Sequence, residues 1–176
     1  MFSGYPFLVN TLYVVNLILL ILGIISIGGI LYAIYLWFTG ILSVLIRLGY
    51  GLSVRKIAIF ARGDNFSSLK SLLLDSGIIK EKNIFHVGTG DDLGRAETAT
   101  MYLVSWADWK LEIEQILEMK RDKCALIVYA PYNDGRIPDE MMIKLDAKRH
   151  TTVTNFRGRL LNDIVSSMIT TSYEKK

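Results

Sequence analysis

The stretch 7-FLVNTLYVVNLILLILGIISIGGILYAIYLWFTGILSVLIRL-48 carries one charge, Arg47, and all 20 basic and 17 acidic residues of the 176-residue chain lie after Ile46. An uncharged apolar run of this length belongs in lipid, whose hydrocarbon core is crossed by about 20 helical residues. It predicts two spans, Phe7–Ile25 and Ile30–Leu48, joined at Ser26-Ile27-Gly28-Gly29, where glycine relieves the backbone restriction of a tight reversal. Gly23 and Thr39-Gly40 are further candidate breaks. The competing layout is a single span followed by an interfacial helix from Tyr35 to Leu48, because Tyr32, Tyr35 and Trp37 are residues that mark a water boundary. A cleaved signal peptide does not fit, since no basic region precedes the apolar stretch and no small-residue cleavage site comes after it.

Arg47, Arg55 and Lys56 flank the exit of the second expected span, which favours the cytoplasmic side for the head. The expectation is a two-pass inner-membrane protein with both termini and the soluble head in the cytoplasm: a hairpin over 1–48, a linker at 49–53 and a head at 54–176. The single cysteine, Cys124, excludes an intramolecular disulfide and agrees with a reducing compartment. Apart from Arg47 at the end of the second, the spans hold no acidic or basic side chain to bind an ion or carry a proton, which argues against a transporter. Asn16 places an amide in the first span, where it either holds the hairpin together or joins copies into an oligomer.

From Val54 onward the apolar runs alternate in type. Short β-rich runs predict strands at Lys56–Phe60, Asn83–Val87, Met101–Val104, Ala125–Tyr129 and Thr151–Asn155. Helical spacing predicts helices at Ser67–Leu74, Lys110–Met119, Pro138–Leu145 and Gly158–Met168. Only Thr89–Thr100 separates the second and third strands, so the helix of that crossover must be brief or missing. Continuous apolar strands alternating with helices indicate a parallel sheet covered on both faces. The head is therefore expected to be a small α/β domain, flavodoxin-like, with strand order 2-1-3-4-5. Such sheets bind ligands at the carboxyl ends of their strands.

The segments at those carboxyl ends are polar. Arg62-Gly63-Asp64-Asn65-Phe66-Ser67-Ser68 runs into a helix whose free N–H groups can receive an anion, although Asn65 or Ser67 serves equally as a plain cap. Gly88-Thr89-Gly90-Asp91-Asp92-Leu93-Gly94 lacks the dinucleotide spacing, and its adjacent carboxylates would repel a pyrophosphate. Asn155-Phe156-Arg157-Gly158-Arg159 puts two arginines at a helix amino end, the wrong sign for the helix dipole. A bound phosphate would reconcile them; so would salt bridges to Asp163 or Asp108.

Phe66, Trp106, Tyr132 and Phe156 fall on the same edge, either as core residues or as rings that stack on bases. With Ser68 and Asn133 they complete the candidate ligand-binding set, in which arginines and aromatics together favour a nucleotide over a simple anion. His86 and His150 are the only histidines and have no metal-ligand spacing, so neither a metal nor a cofactor is predicted. A net charge of +3 is too slight to imply nucleic acid.

Ile57-Ala58-Ile59-Phe60-Ala61-Arg62-Gly63-Asp64-Asn65-Phe66, then Leu72 to Gly77, Tyr102-Leu103-Val104-Ser105-Trp106 and Trp109-Lys110-Leu111-Glu112 resemble the motifs of a TIR domain. In enzymatic members, the resemblance implies, a glutamate placed as Glu112 cleaves the nicotinamide glycosidic bond of NAD. Position alone makes Glu112 an acid near a helix amino end, which the dipole favours. Two short membrane helices on a nucleotide-sized α/β sensor also look like the membrane effectors of prokaryotic antiphage signalling, including cyclic-oligonucleotide-responsive and Panoptes-type systems. That resemblance implies a cyclic di- or oligonucleotide, made by a partner synthase, that controls homo-oligomerisation and damage to the inner membrane. The leading expectation is a non-enzymatic effector of this kind. The alternatives are a membrane-tethered NAD hydrolase using Glu112 and a TIR-like protein-interaction module.

Overall fold

The computed structural model describes residues 6–42, 44, 46, 49 and 54–172. Its contacts divide the chain into two compact units, Met1–Arg47 and Leu48–Lys176.

In the first unit a single helix, α1, runs without interruption over Pro6–Phe38. Its segment Thr11–Phe38 is, among the described residues, the one helix long and apolar enough to cross a membrane. The expected reversal at Ser26–Gly29 is helical, so one candidate span replaces the two-helix hairpin. Glycine costs only about 1 kcal/mol in a helix interior, whereas backbone N–H and C=O groups opened to lipid cost several. Ser26 even turns its hydroxyl inward, donating to the Leu22 carbonyl at 2.8 Å.

The helix ends instead at Thr39-Gly40, where Gly40 takes a φ of 74° that glycine adopts without penalty. Residues 41, 42, 44, 46, 49 and 54 are helical again. Arg47, Leu48 and the expected linker beyond Gly49 lie outside the described residues. At 1.5 Å per residue α1 separates Tyr13 from Tyr32 by roughly 29 Å, close to the hydrocarbon thickness. Tyr13 at one end and Tyr32, Tyr35 and Trp37 at the other are thus spaced as the two aromatic belts of one crossing.

The second unit is an α/β domain built on five parallel strands: β1 Ile57–Phe60, β2 Ile84–Val87, β3 Met101–Ser105, β4 Ala125–Tyr129 and β5 Thr151–Thr154. Their order is β2-β1-β3-β4-β5, as the alternation predicts. The helices are α2 Gly63–Asp75, α3 Leu93–Ala96, α4 Trp106–Trp109, α5 Ile113–Met119, α6 Asp139–Asp146 and α7 Arg157–Ser172. The crossover from β2 to β3 holds only a 3-10 turn, Gly90–Asp92, and the single turn of α3.

Strand periodicity sorts the core into two layers. Ile57, Ile59, Met101, Leu103, Ala125 and Ile127 pack with Leu69 and Leu73 of α2 and with Leu160, Ile164 and Met168 of α7. Ala58, Phe60, Tyr102, Val104, Leu126 and Val128 face the other way, onto Trp109, Ile113, Ile116 and Leu145. Phe60 meets Tyr102 and Trp109 edge-on, with ring centroids 5.2 and 5.4 Å away. The three central strands are therefore buried on both faces, as continuous apolar runs require.

One polar group stands out in this core. Tyr102 is fully buried and its hydroxyl has no hydrogen-bond partner among the described residues. Burial, reinforced by the neighbouring Cys124 thiol, pushes the Tyr102 phenol up to about 12, and burial pushes Cys124 up to about 11. The fold holds both groups neutral. Their contribution to stability is intact below the ordinary values of 9.0 and 10.0 and is lost as pH rises through the raised ones. Tyr102→Phe is expected to leave stability at neutral pH unchanged or higher, because it removes an unpaired hydroxyl, and to delay alkaline unfolding. Circular-dichroism melts at neutral pH and at about pH 11 check both.

Candidate functional site

At the carboxyl end of β1 the chain passes through Ala61 and Arg62 into α2, which begins at Gly63, four residues before the helix expected from periodicity. The reason is a cap from a distant segment. Asp108, on α4, accepts the Arg62 backbone N–H at 2.9 Å and the Asn65 side-chain amide at 3.0 and 3.2 Å. Gly63, with φ 50°, supplies the turn between strand and helix. The helix end that sequence offered to a phosphate thus holds a carboxylate of the protein itself, the charge that a helix amino end favours.

Arg62 is equally engaged. Its Nε donates to the Gly88 carbonyl at 3.1 Å, one terminal nitrogen pairs with Glu112 at 3.3 Å, and the guanidinium lies over the Trp109 ring at 5.1 Å. Both charged side chains keep partial solvent contact, 49% and 30%, so the ion pair itself contributes under about 1 kcal/mol. The geometric effect is larger: Arg62 ties the ends of β1 and β2 to the segment between α4 and α5. Beside it Phe66 packs on the His86 ring with centroids 3.8 Å apart, and His86 Nε2 donates to the Ala61 carbonyl at 2.9 Å. The Gly88 backbone passes so close to that imidazole that a Cβ there would sit 3.2 Å from it.

A polar cleft of about 270 Å³ opens next to this corner. Ser105 and Tyr129, paired in register at the ends of β3 and β4, line it together with Asn65 and Ser68 of α2, Asn133 and Asp134 of the 3-10 turn Tyr132–Asp134, and Arg157 of α7. Arg157 donates to the Ser68 hydroxyl at 2.6 Å and to the Ser68 carbonyl at 3.0 Å, bridging the starts of α7 and α2. It does not pair with the acids that sequence offered: Asp163 accepts from Thr154 at 2.6 Å, and Asp108 caps α2.

A larger cavity of about 550 Å³ lies on the β4–β5 side, with Ala130, Ile137, Met142 and Val153 as apolar wall and Tyr132, Arg136 and Asn155 as polar lining. Tyr132 meets Phe156 edge-on at 5.7 Å; both rings are exposed. Residues 130–136 contribute to both hollows, so this aromatic pair stands where the polar and the apolar cavity adjoin.

No family model, curated protein or solved structure matches the chain. The site is read from its own residues. Of the expected ligand-binding set, Asn65, Ser68, Asn133 and Arg157 converge on one cleft, and Tyr132 and Phe156 stand beside it. Arg159 is exposed on the first turn of α7. The others have different surroundings. Trp106 is buried in the core, Phe66 is stacked on His86, Ser67 donates back to Gly63 within α2, and Arg62 and Glu112 hold each other. Among the described residues no three His, Cys, Asp or Glu side chains converge as metal ligands would. Sequence reasoning missed Asp108 as a cap and Ser105 and Tyr129 as cleft floor, because each acts on a segment far away in the chain.

Asp108→Ala leaves the Arg62 N–H and the Asn65 amide without their acceptor. It is expected to lower the unfolding free energy by about 1–2 kcal/mol, whereas Ser67→Ala changes it by a few tenths. Urea denaturation followed by tryptophan fluorescence distinguishes the two.

Proposed function

We propose that the chain is a membrane-anchored sensor whose head binds a cyclic di- or oligonucleotide made by a partner synthase, and that the ligand controls self-assembly and disruption of the inner membrane. The observation that carries this reading is the pairing of a polar cleft around Arg157 with the exposed Tyr132–Phe156 rings beside an apolar cavity. Phosphate oxygens suit a guanidinium that presents several donors, and bases suit a ring with a free face. Arg157 and Arg159 would take phosphate, Tyr132 or Phe156 a base, and Asn65, Ser68 and Asn133 the remaining polar edge. Arg62, Asp108 and Glu112 then form the frame of the site rather than its contact surface.

With α1 as a single span, the basic residues C-terminal to it favour a cytoplasmic head. The antiviral role rests on the resemblance of an anchor-plus-sensor layout to antiphage effectors. The alternative of a tethered NAD hydrolase needs Glu112 for chemistry. Its ion pair with Arg62 and the adjoining Asp108 give it a structural task instead.

The test is the full chain in detergent, incubated with cyclic di- and trinucleotides and with NAD while thermal stability and NAD consumption are followed together. One cyclic nucleotide is expected to raise the melting temperature with NAD left intact. Arg157→Ala should weaken that ligand about tenfold or more, and Tyr132→Ala about five- to a hundredfold if the ring stacks on a base. NAD loss that Glu112→Gln abolishes would replace the sensor with an enzyme. No shift with any cyclic nucleotide would leave the interaction-module reading in its place.

A further inference from the structure

Between Leu12 and Phe38, Asn16 and Ser26 are the only polar side chains besides the aromatic ones. Ser26 is satisfied by the helix's own backbone. Asn16 is not: its amide is exposed on the surface of α1, with no hydrogen-bond partner among the described residues. If Tyr13 marks one water boundary, Asn16 lies one turn inside it, roughly 4 to 5 Å deeper at 1.5 Å per residue. Hydrocarbon offers that amide nothing to bond with, and an unmet polar group in lipid is costly.

We infer that α1 pairs in the membrane with α1 of a second copy of this chain, through a hydrogen bond between their Asn16 side chains. Two arguments select a second copy as the occupant. Every copy enters the bilayer in the same direction, so the Asn16 of a parallel neighbour lies at the same depth. A carboxamide carries both a donor and an acceptor, so two asparagines facing each other satisfy one another without a third group. The helix surface permits the approach. Tyr13, Asn16, Leu17 and Leu20 border a shallow hollow, and two turns further along the same face a Cβ at Gly23 would touch nothing within 4 Å, so that a neighbouring backbone can come close there.

The pairing rests on the membrane part of the proposed function and is independent of the nucleotide. The experiment therefore omits any nucleotide. Full-length chains carrying donor or acceptor fluorophores at the C-terminus are reconstituted in vesicles of phosphatidylcholine and phosphatidylglycerol, floated on a density gradient, and tested for energy transfer at increasing lipid dilution. The wild type is expected to float and to show transfer that fades on dilution. Asn16→Leu should float equally well, being more apolar, and associate about 3- to 30-fold more weakly. Asn16→Gln, which keeps the amide, should retain association, and Ser26→Leu should behave as the wild type. Asn16→Leu associating as tightly as wild type, or a wild type that floats without transfer, overturns the inference. A wild type that does not float overturns the membrane reading as well, and a failure of the head to bind nucleotide would alter none of these results.

Discussion

Three central strands buried on both faces leave the middle of the sheet no open surface on which to bind a ligand. β1, β3 and β4 alternate their side chains between a layer against α2 and α7 and a layer against α4, α5 and α6. The polar groups of the candidate cleft therefore lie at the strand ends and in the segments that follow them. The cause is parallel pairing, which needs a crossover on one face or the other after each strand. The candidate site is the product of that constraint: a rim of short segments held together by side chains.

How the rim is held decides its electrostatics. Asp108 caps α2, Glu112 takes one side of Arg62, and Gly88 takes another. On the β1–β2 side, positive charge and the helix dipole are thus answered by carboxylates from within the protein. On the β3–β5 side the balance is different. Arg157 meets only the neutral oxygens of Ser68, and Arg159 is exposed. A guanidinium bonded to neutral oxygens thus stands along the sheet edge from the switch point beside β1, in a cleft that Asp134 also lines. The aromatic pair there has exposed rings, in contrast to Trp106, which is buried, and Phe66, which is half-buried and stacked on His86.

A helix as long and apolar as α1 meets a second constraint if it crosses a membrane, the absence of water. Inside lipid the backbone can bond only to itself, which favours one long helix over a turn built from Ser26, Gly28 and Gly29. The same rule separates Ser26 from Asn16. The Ser26 hydroxyl reaches a carbonyl of the preceding turn, but the Asn16 amide has no partner within its helix.

Much of the fold was legible in the chain itself. The charge-free run announced a helix long and apolar enough to cross a membrane, and strand-length apolar runs alternating with helical spacing announced a parallel sheet in the order 2-1-3-4-5, because burial pattern and connection length are local quantities. The unbroken helix over Pro6–Phe38 was not the leading expectation, since glycine is read as a turn signal in water and is tolerated by helix in lipid. Nor was the division of the arginines: Arg62 and Arg157 both stand where a strand gives way to a helix, and no neighbouring residue distinguishes them. What the sequence by itself determined is which residues reach the rim. Only the tertiary structure decided which of them are free, because Asp108 and Glu112 approach Arg62 from more than forty positions along the chain, and an ion pair across that separation exists only once the sheet has formed.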